Sequence, residues 1–293
     1  MPTPLKLMCV LAHPDDESIA LGGTLAKYAA EGVEISLVVA TRGERGWFRD
    51  WSEYPGQEGL GCIREEELRA ACRALGIARL DFLNYIDGDL DQADGDEAVA
   101  KITALMRQVR PDVVVTFGPD GLYGHPDHIA ISQFTTAAVL CAADQDYGQS
   151  WHLGPHRVAK LYYRVSTQDW FAHYTPIFGD MIMHIDGQER TCLSWMKWAV
   201  TTRLDTSAYW RQAWNAVRSH VTQIPPLEKL PRFSPEDHKR LWGPQEFYRA
   251  FSLVNSGRSV EQDLFEGVRR ASTVSLPTVT ITPVASTLVP EWR

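Results

Sequence analysis

Two short stretches concentrate the chemistry available to this chain, AHPDDES at residues 12–18 and HPDH at residues 125–128. Each has an ordinary structural reading. Proline suits the first turn of a helix, and aspartate and glutamate are favoured there by the helix dipole. Helix capping does not, however, call for a histidine at the head of both. A divalent metal in a hydrolase is commonly held by three ligands drawn from histidine and carboxylate, with a further position open to water. His13 and Asp16, three residues apart across a tight turn, can face one point, and His128 can supply a third ligand from the second stretch. Such a His2Asp set favours zinc (Zn2+), with Fe2+ or another divalent ion as the alternative.

For the two stretches to meet, the chain between them must return to the same edge of a sheet. Its pattern is suited to that. Residues 5–12 are an apolar run that reads as a buried strand, 18–31 have helical spacing and stop at Gly32, and 33–41 are β-branched and strand-like. A helix over 63–75 stops at Gly76, a short strand covers 80–85, and a helix over 96–109 ends before Pro111. The run at 112–117 is a further strand and 127–143 a further helix. This alternation predicts an α/β fold, a Rossmann-like and mostly parallel sheet with helices on both faces. Ligands of such sheets bind beyond the carboxyl ends of the strands. Chemistry is therefore expected after residues 12, 41, 85 and 117, where the chain reads HPDDE, TRGE, IDGDL and GPDGLYGHPDH. The usual strand order makes the strands at 5–12 and 112–117 neighbours across the switch point.

The second half is less regular. Residues 158–165 and 181–185 look like strands, and 188–220 like helices rich in Trp195, Trp198, Tyr209, Trp210 and Trp214, spaced for packing onto a core. The domain reading is a main unit over 1–225, a helical C-terminal elaboration over 226–271, and a Thr/Val/Pro-rich tail over 272–293. That tail suits either an arm laid on a second copy in a homo-oligomer or a free end.

A net charge of −8 over 293 residues argues against a nucleic-acid or anionic-membrane partner. No apolar run approaches the ~20 residues of a membrane span. Five scattered cysteines without a C-x-x-C pair fit reduced thiols and a cytoplasmic setting. No G-x-G-x-x-G follows the first strand, and carboxylates stand where a dinucleotide phosphate would sit, which disfavours a nucleotide-binding module.

AHPDDE followed about a hundred residues later by HPDH resembles the LmbE-like, or PIG-L, superfamily of zinc-dependent N-acetylglucosaminyl deacetylases. GGTLAKYAAEG, ATRGE, REEEL and IDGDL extend the resemblance, as does SHVTQ at 219–223, so that it spans about residues 5–223. It implies that His13, Asp16 and His128 hold the metal and that Asp15 is the general base. It further implies that His125 stabilises the oxyanion or protonates the leaving amine, with Asp127 orienting it, and that Arg64 and Tyr123 meet the substrate. The implied reaction removes acetate from an N-acetylglucosamine-containing small molecule. The alternatives are an amidase acting on a thiol-cofactor conjugate with the same metal site, and a non-catalytic sugar- or metal-binding protein.

Several residues have competing readings. Arg64 could pair with glutamates of its own helix, and Tyr123 could simply pack. Glu17 reads as a helix start or a support for the ligands, His220 as structural, and the DGDLD run at 87–91 first as a solvated turn, with a substrate role implied by the resemblance as the lesser option. Residues 44–61, with Trp47, Phe48, Trp51 and Tyr54, are expected to form a lid whose rings stack on an apolar sugar face.

Overall fold

Strand β1 (Lys6–Leu11) explains the uninterrupted apolar run at its sequence. Leu7 through Ala12 have no exposed surface, as a central parallel strand covered on both faces requires. In the computed structural model, which describes residues 4–148, 152–180, 182–185, 187–224, 233–255, 257 and 259–271, the chain continues through α1 (Asp16–Ala30), β2 (Glu34–Val39), α2 (Gly56–Leu75), β3 (Arg79–Phe82), α3 (Gly95–Val109) and β4 (Val113–Phe117). A four-residue turn, α4 (Gly121–Gly124), leads into α5 (Pro126–Ala143), β5 (Lys160–Val165) and α6 (Gln168–Phe178). Then come β6 (Ile182–Ile185), β7 (Gln188–Thr191), β8 (Thr202–Asp205), α7 (Trp210–Ser219), α8 (Pro235–Trp242), β9 (Pro244–Ser252) and α9 (Val268–Ala271).

The main sheet runs β3-β2-β1-β4-β5-β9-β8. Its first five strands are parallel, and β9 pairs antiparallel with both β5 and β8. Strands β1 and β4 are neighbours, with Leu7 opposite Val113 and Cys9 opposite Val115. Winding outward from β1 to β3 and then returning to β4 moves the connecting helices to the other face. Accordingly α1 and α2 pack with each other and with α7, whereas α3 packs with α5. The carboxyl ends of β1 and β4 thus open onto one crevice. This is the Rossmann-like arrangement that the alternating pattern implies.

Two expectations for the second half need correction. Residues 188–220 contain one α-helix of more than a turn, α7; the rest supplies β7, paired with β6 in a separate hairpin, and β8. The β-branched run at Val200–Thr202 favours the strand over the helix that the aromatic spacing suggested. Within 226–271, β9 joins the main sheet between β5 and β8, so that stretch is not a purely helical elaboration. Phe247, fully buried at its centre, anchors it. Residues 225–232 and the 272–293 tail lie outside the described residues. Of the tryptophans, Trp210 and Trp214 pack on His238 in α8, but Trp198 is 86% exposed.

The paired glycines of α1 mark a close approach. A β-carbon on Gly23 would collide with the Thr206 hydroxyl and the Trp242 carbonyl, both of which belong to the layer covering α1. No helix among the described residues is long and apolar enough to cross a membrane.

Candidate active site

After β1 the chain turns sharply through His13, Pro14 and Asp15 before α1 begins. Asp15 has φ +115°, a left-handed torsion that a β-carbon disfavours, and its carbonyl accepts the N–H groups of Ser18 (3.0 Å) and Ile19 (2.9 Å). Acidic side chains hold this turn. Asp16 Oδ2 accepts the N–H groups of Ala12 (3.2 Å) and His13 (2.8 Å), and the Asp15 N–H donates to Glu17 Oε2 (3.0 Å). Beyond β4 a second strained turn, with Leu122 at φ +68°, delivers HPDH, and His125 caps α5 by accepting the Asp127 N–H on Nδ1 (3.1 Å).

The two turns meet. His13 Nδ1 lies 3.2 Å from His128 Nε2, Asp16 Oδ1 lies 3.4 Å from that same nitrogen, and Asp16 Oδ2 lies 3.9 Å from His13 Nδ1. All three residues are buried, and this His13–Asp16–His128 group could hold a metal ion. The far side of His13 supports that reading. Its Nε2 is 3.0 Å from Asp127 Oδ2 and 3.0 Å from Asp87 Oδ1. Carboxylates only accept, so Nε2 carries a hydrogen, and Nδ1 is the ring nitrogen turned to Asp16 and His128. Metal-binding histidines are commonly oriented in this way.

The Asp127 carboxylate therefore serves His13; it meets His125 only through its backbone N–H. Sequence reasoning expected chemistry in IDGDL but did not single out Asp87 as a partner of His13. Asp87 sits in the run read as a solvated turn, yet it is 7% exposed and directed onto His13. Its position just after β3 was the available signal.

Arg64 reaches from α2 into the first turn. It donates to the carbonyls of Gly43 (2.8 Å) and Pro14 and pairs with Asp15 Oδ2 at 3.2 Å, rather than with glutamates of its own helix. Gly43 is required here, since a β-carbon would overlap that guanidinium. Glu17 and His220 form a fully buried pair at 2.7 Å, which fixes the carboxylate that holds the Asp15 N–H. The remainder of SHVTQ clasps neighbouring elements: Thr222 donates twice to Glu67, and Gln223 Nε2 donates to the Gly46 carbonyl (2.9 Å).

The electrostatics separate the groups. Burial pushes the Asp15 carboxyl up to about 7, against the pull of Arg64. Burial, with His13 and His128 nearby, presses His125 down to about 3, and burial likewise holds His128 well below the usual range. Burial opposes charge on His13, but Asp127 and Asp87 outweigh it and raise its pKa. Asp87 and Asp127 resist burial through that same contact and are depressed. Tyr123 stands edge-on to His128, 5.2 Å between centroids, and burial beside Asp16 and Asp15 keeps its hydroxyl protonated.

A cavity of about 280 Å³ opens over these groups, with Asp15, Tyr123, His125, Arg64 and Phe48 on its walls. A larger one, about 630 Å³, lies between α6 and the β6–β7 hairpin, and none of the residues just described lines it. Of the aromatic loop, Phe48 faces the smaller cavity, while Trp47 and Trp51 pack on Tyr54.

A buried His2Asp cluster with a further carboxylate beside it, at the carboxyl edge of a doubly wound sheet, has the donor set that a metal-dependent hydrolase uses. The PIG-L family model, described as GlcNAc-PI de-N-acetylase, matches residues 8–139. The 1D-myo-inositol 2-acetamido-2-deoxy-alpha-D-glucopyranoside deacetylase of Thermobifida fusca is 36% identical over 246 residues, covering 75% of this chain and 83% of that protein. A mycothiol S-conjugate amidase of Streptomyces coelicolor is 30% identical over 293 residues, covering 90% of this chain and 98% of that protein. The chain belongs to the PIG-L family. The N,N'-diacetylchitobiose deacetylase of Pyrococcus horikoshii shares the fold, with a TM-score of 0.62 at 21% identity over 83% of each chain.

Proposed function

We propose that this protein is a metal-dependent deacetylase that hydrolyses the acetamide of an N-acetylglucosamine-containing small molecule to acetate and the free amine. The observation that carries this is the convergence of His13 Nδ1, His128 Nε2 and the Asp16 carboxylate beside Asp15, with His13 and Asp15 on the wall of a cavity of about 280 Å³. The deacetylase of Thermobifida fusca, matched over most of both chains, supports the substrate class.

In this reading His13, Asp16 and His128 hold the ion, with Zn2+ favoured by two imidazoles and one carboxylate, and Fe2+ next. When bound, the ion polarises the amide carbonyl and makes water a better nucleophile. Asp15 takes the proton of the attacking water, and a carboxyl held near 7 suits that task at neutral pH. His125 is neutral and accepts on Nδ1, so its Nε2–H is the donor available to the developing oxyanion. An imidazole depressed to about 3 is no reservoir of protons. The proton for the leaving nitrogen is therefore the one that Asp15 has just taken. Arg64 keeps Asp15 aimed, and Tyr123 stands at the cavity wall beside the reacting amide.

All five cysteines are free thiols, which is in keeping with a reducing, cytoplasmic setting. The test of function is acetate release from N-acetylglucosaminides, comparing metal-stripped with zinc-reloaded protein. Zinc-dependent acetate is expected; silence with zinc bound refutes the proposal. The amidase match over 90% of the chain supports a second reading, cleavage of a thiol-cofactor conjugate, whose signature is release of an acid larger than acetate.

A further inference from the structure

We infer that Phe48 is a platform for the group attached to the glucosamine, and that the enzyme selects N-acetylglucosaminides with a flat, apolar aglycone. The inference rests on the deacetylase reading. A cavity of about 280 Å³ is filled by one sugar ring, so whatever the sugar carries must lie on the rim. Phe48 lines that cavity while remaining 79% exposed.

The loop does not leave this ring outward for want of alternatives. Its other aromatics find partners, with Trp47 and Trp51 5.8 Å and 5.1 Å from the Tyr54 ring. The neighbours of Phe48 are also tied down, on one side by backbone and on the other by a side chain. The Gly46 carbonyl accepts from Gln223, and the Arg49 guanidinium donates twice to the Val221 carbonyl, at 3.1 Å and 2.6 Å. Gly46 also packs so close to Arg64 that a β-carbon would lie 2.6 Å from its Nη1. The ring is thus held at the mouth and forgoes burial that a stacked partner would restore.

The polar side of the rim decides the character of that partner. Of the two arginines that line the cavity, Arg64 is paired with Asp15 and Arg45 is joined in a two-bond pair to Asp89, at 2.6 Å and 2.8 Å. An anionic aglycone would have to break one of these pairs, and a neutral ring on Phe48 would not.

The experiment compares kcat/KM for acetate release from phenyl and methyl N-acetyl-α-D-glucosaminide by the zinc-loaded protein. The phenyl glycoside is expected to be better by about threefold to tenfold, the range of a single aromatic stack. Phe48→Ala should bring the ratio towards one, and Phe48→Tyr should keep it. A ratio near one in the unmodified protein, or a ratio unchanged by Phe48→Ala, overturns the platform and leaves the deacetylase standing. No acetate from either glycoside overturns the deacetylase reading, and the platform with it.

Discussion

Asp127→Asn tests how the metal centre is built, because Asp127 touches the centre only through His13. Its carboxylate is fully buried and accepts three bonds. Oδ2 takes His13 Nε2–H (3.0 Å) and the Gly88 N–H (2.8 Å), and Oδ1 takes the Leu90 N–H (3.1 Å). Asparagine has the same shape but one acceptor oxygen. Placed to keep His13 and Gly88, it turns its NH2 on the Leu90 N–H, leaving a buried donor unpaired at a cost of about 1–3 kcal/mol in folding stability. The bond to His13 also loses its charge, and with it roughly half its strength. Removing such an orienting partner typically weakens metal binding by about 10–100-fold. The Asp87 carboxylate, also 3.0 Å from Nε2, still fixes the tautomer, which places the single variant near the low end, about tenfold, and the Asp127→Asn/Asp87→Asn double variant near a hundredfold. Zinc affinity by competition with a chromogenic chelator measures this, with thermal unfolding confirming that the variants fold. A folded double variant that binds zinc as tightly as the parent would refute the reasoning.

Asp15→Asn should retain zinc while losing about 10²–10⁴ in turnover, the usual contribution of a positioned base, whereas His128→Ala should lose zinc; equal metal content in the two would overturn the division of roles. Burial opposes both charges of the Glu17–His220 pair, yet Glu17 is held low and His220 high by one another, so removing either partner strands a buried charge. Glu17→Gln and His220→Ala should each cost about 3–5 kcal/mol, read from the urea midpoint, and an unshifted midpoint would count against an ionised pair. Far from the site, burial opposes the charge of Glu261, but Lys160, Tyr162 and Asn255 bring its carboxyl from 4.5 down to about 2. That stabilisation is complete above pH 4.5 and is lost as the pH falls through about 2, so Glu261→Gln should flatten the acid limb of a stability–pH curve. An identical acid limb in the variant would show that the network does not hold Glu261 ionised.

The legible part of this protein is the part that repeats at short range. Strands β1 and β4 announce themselves because burial on both faces demands continuous apolar runs, and helices α1 and α5 because their first turns carry acids, with proline leading α5. Once both strands are placed in a doubly wound sheet, neighbouring carboxyl ends bring His13 and His128 together without further information. Strand β9 was hidden for the opposite reason. Its pairing with β5 joins residues more than eighty positions apart, and nothing local in it distinguishes a sheet strand from the end of a helical tail. Asp87 was hidden in the same way, since a glycine-flanked acidic run reads as solvent-facing until His13 is placed opposite it.

The torsion at Asp15 shows what local patterns leave out. A non-glycine residue at φ +115° is strained, at a cost of order 1–3 kcal/mol, and glycine would relieve it. Aspartate stands there nonetheless, lining the cavity, and three distant residues hold the turn in place. Glu17 accepts the Asp15 N–H, His220 fixes Glu17 from 203 positions away, and Arg64 ties both the Pro14 carbonyl and the Asp15 carboxylate to α2. Each has an unremarkable role when read alone, as helix start, structural histidine or helix-surface arginine. Their common purpose is visible only from the torsion that they jointly maintain, which is why the proposed ligands could be read from the sequence and the device that holds Asp15 could not.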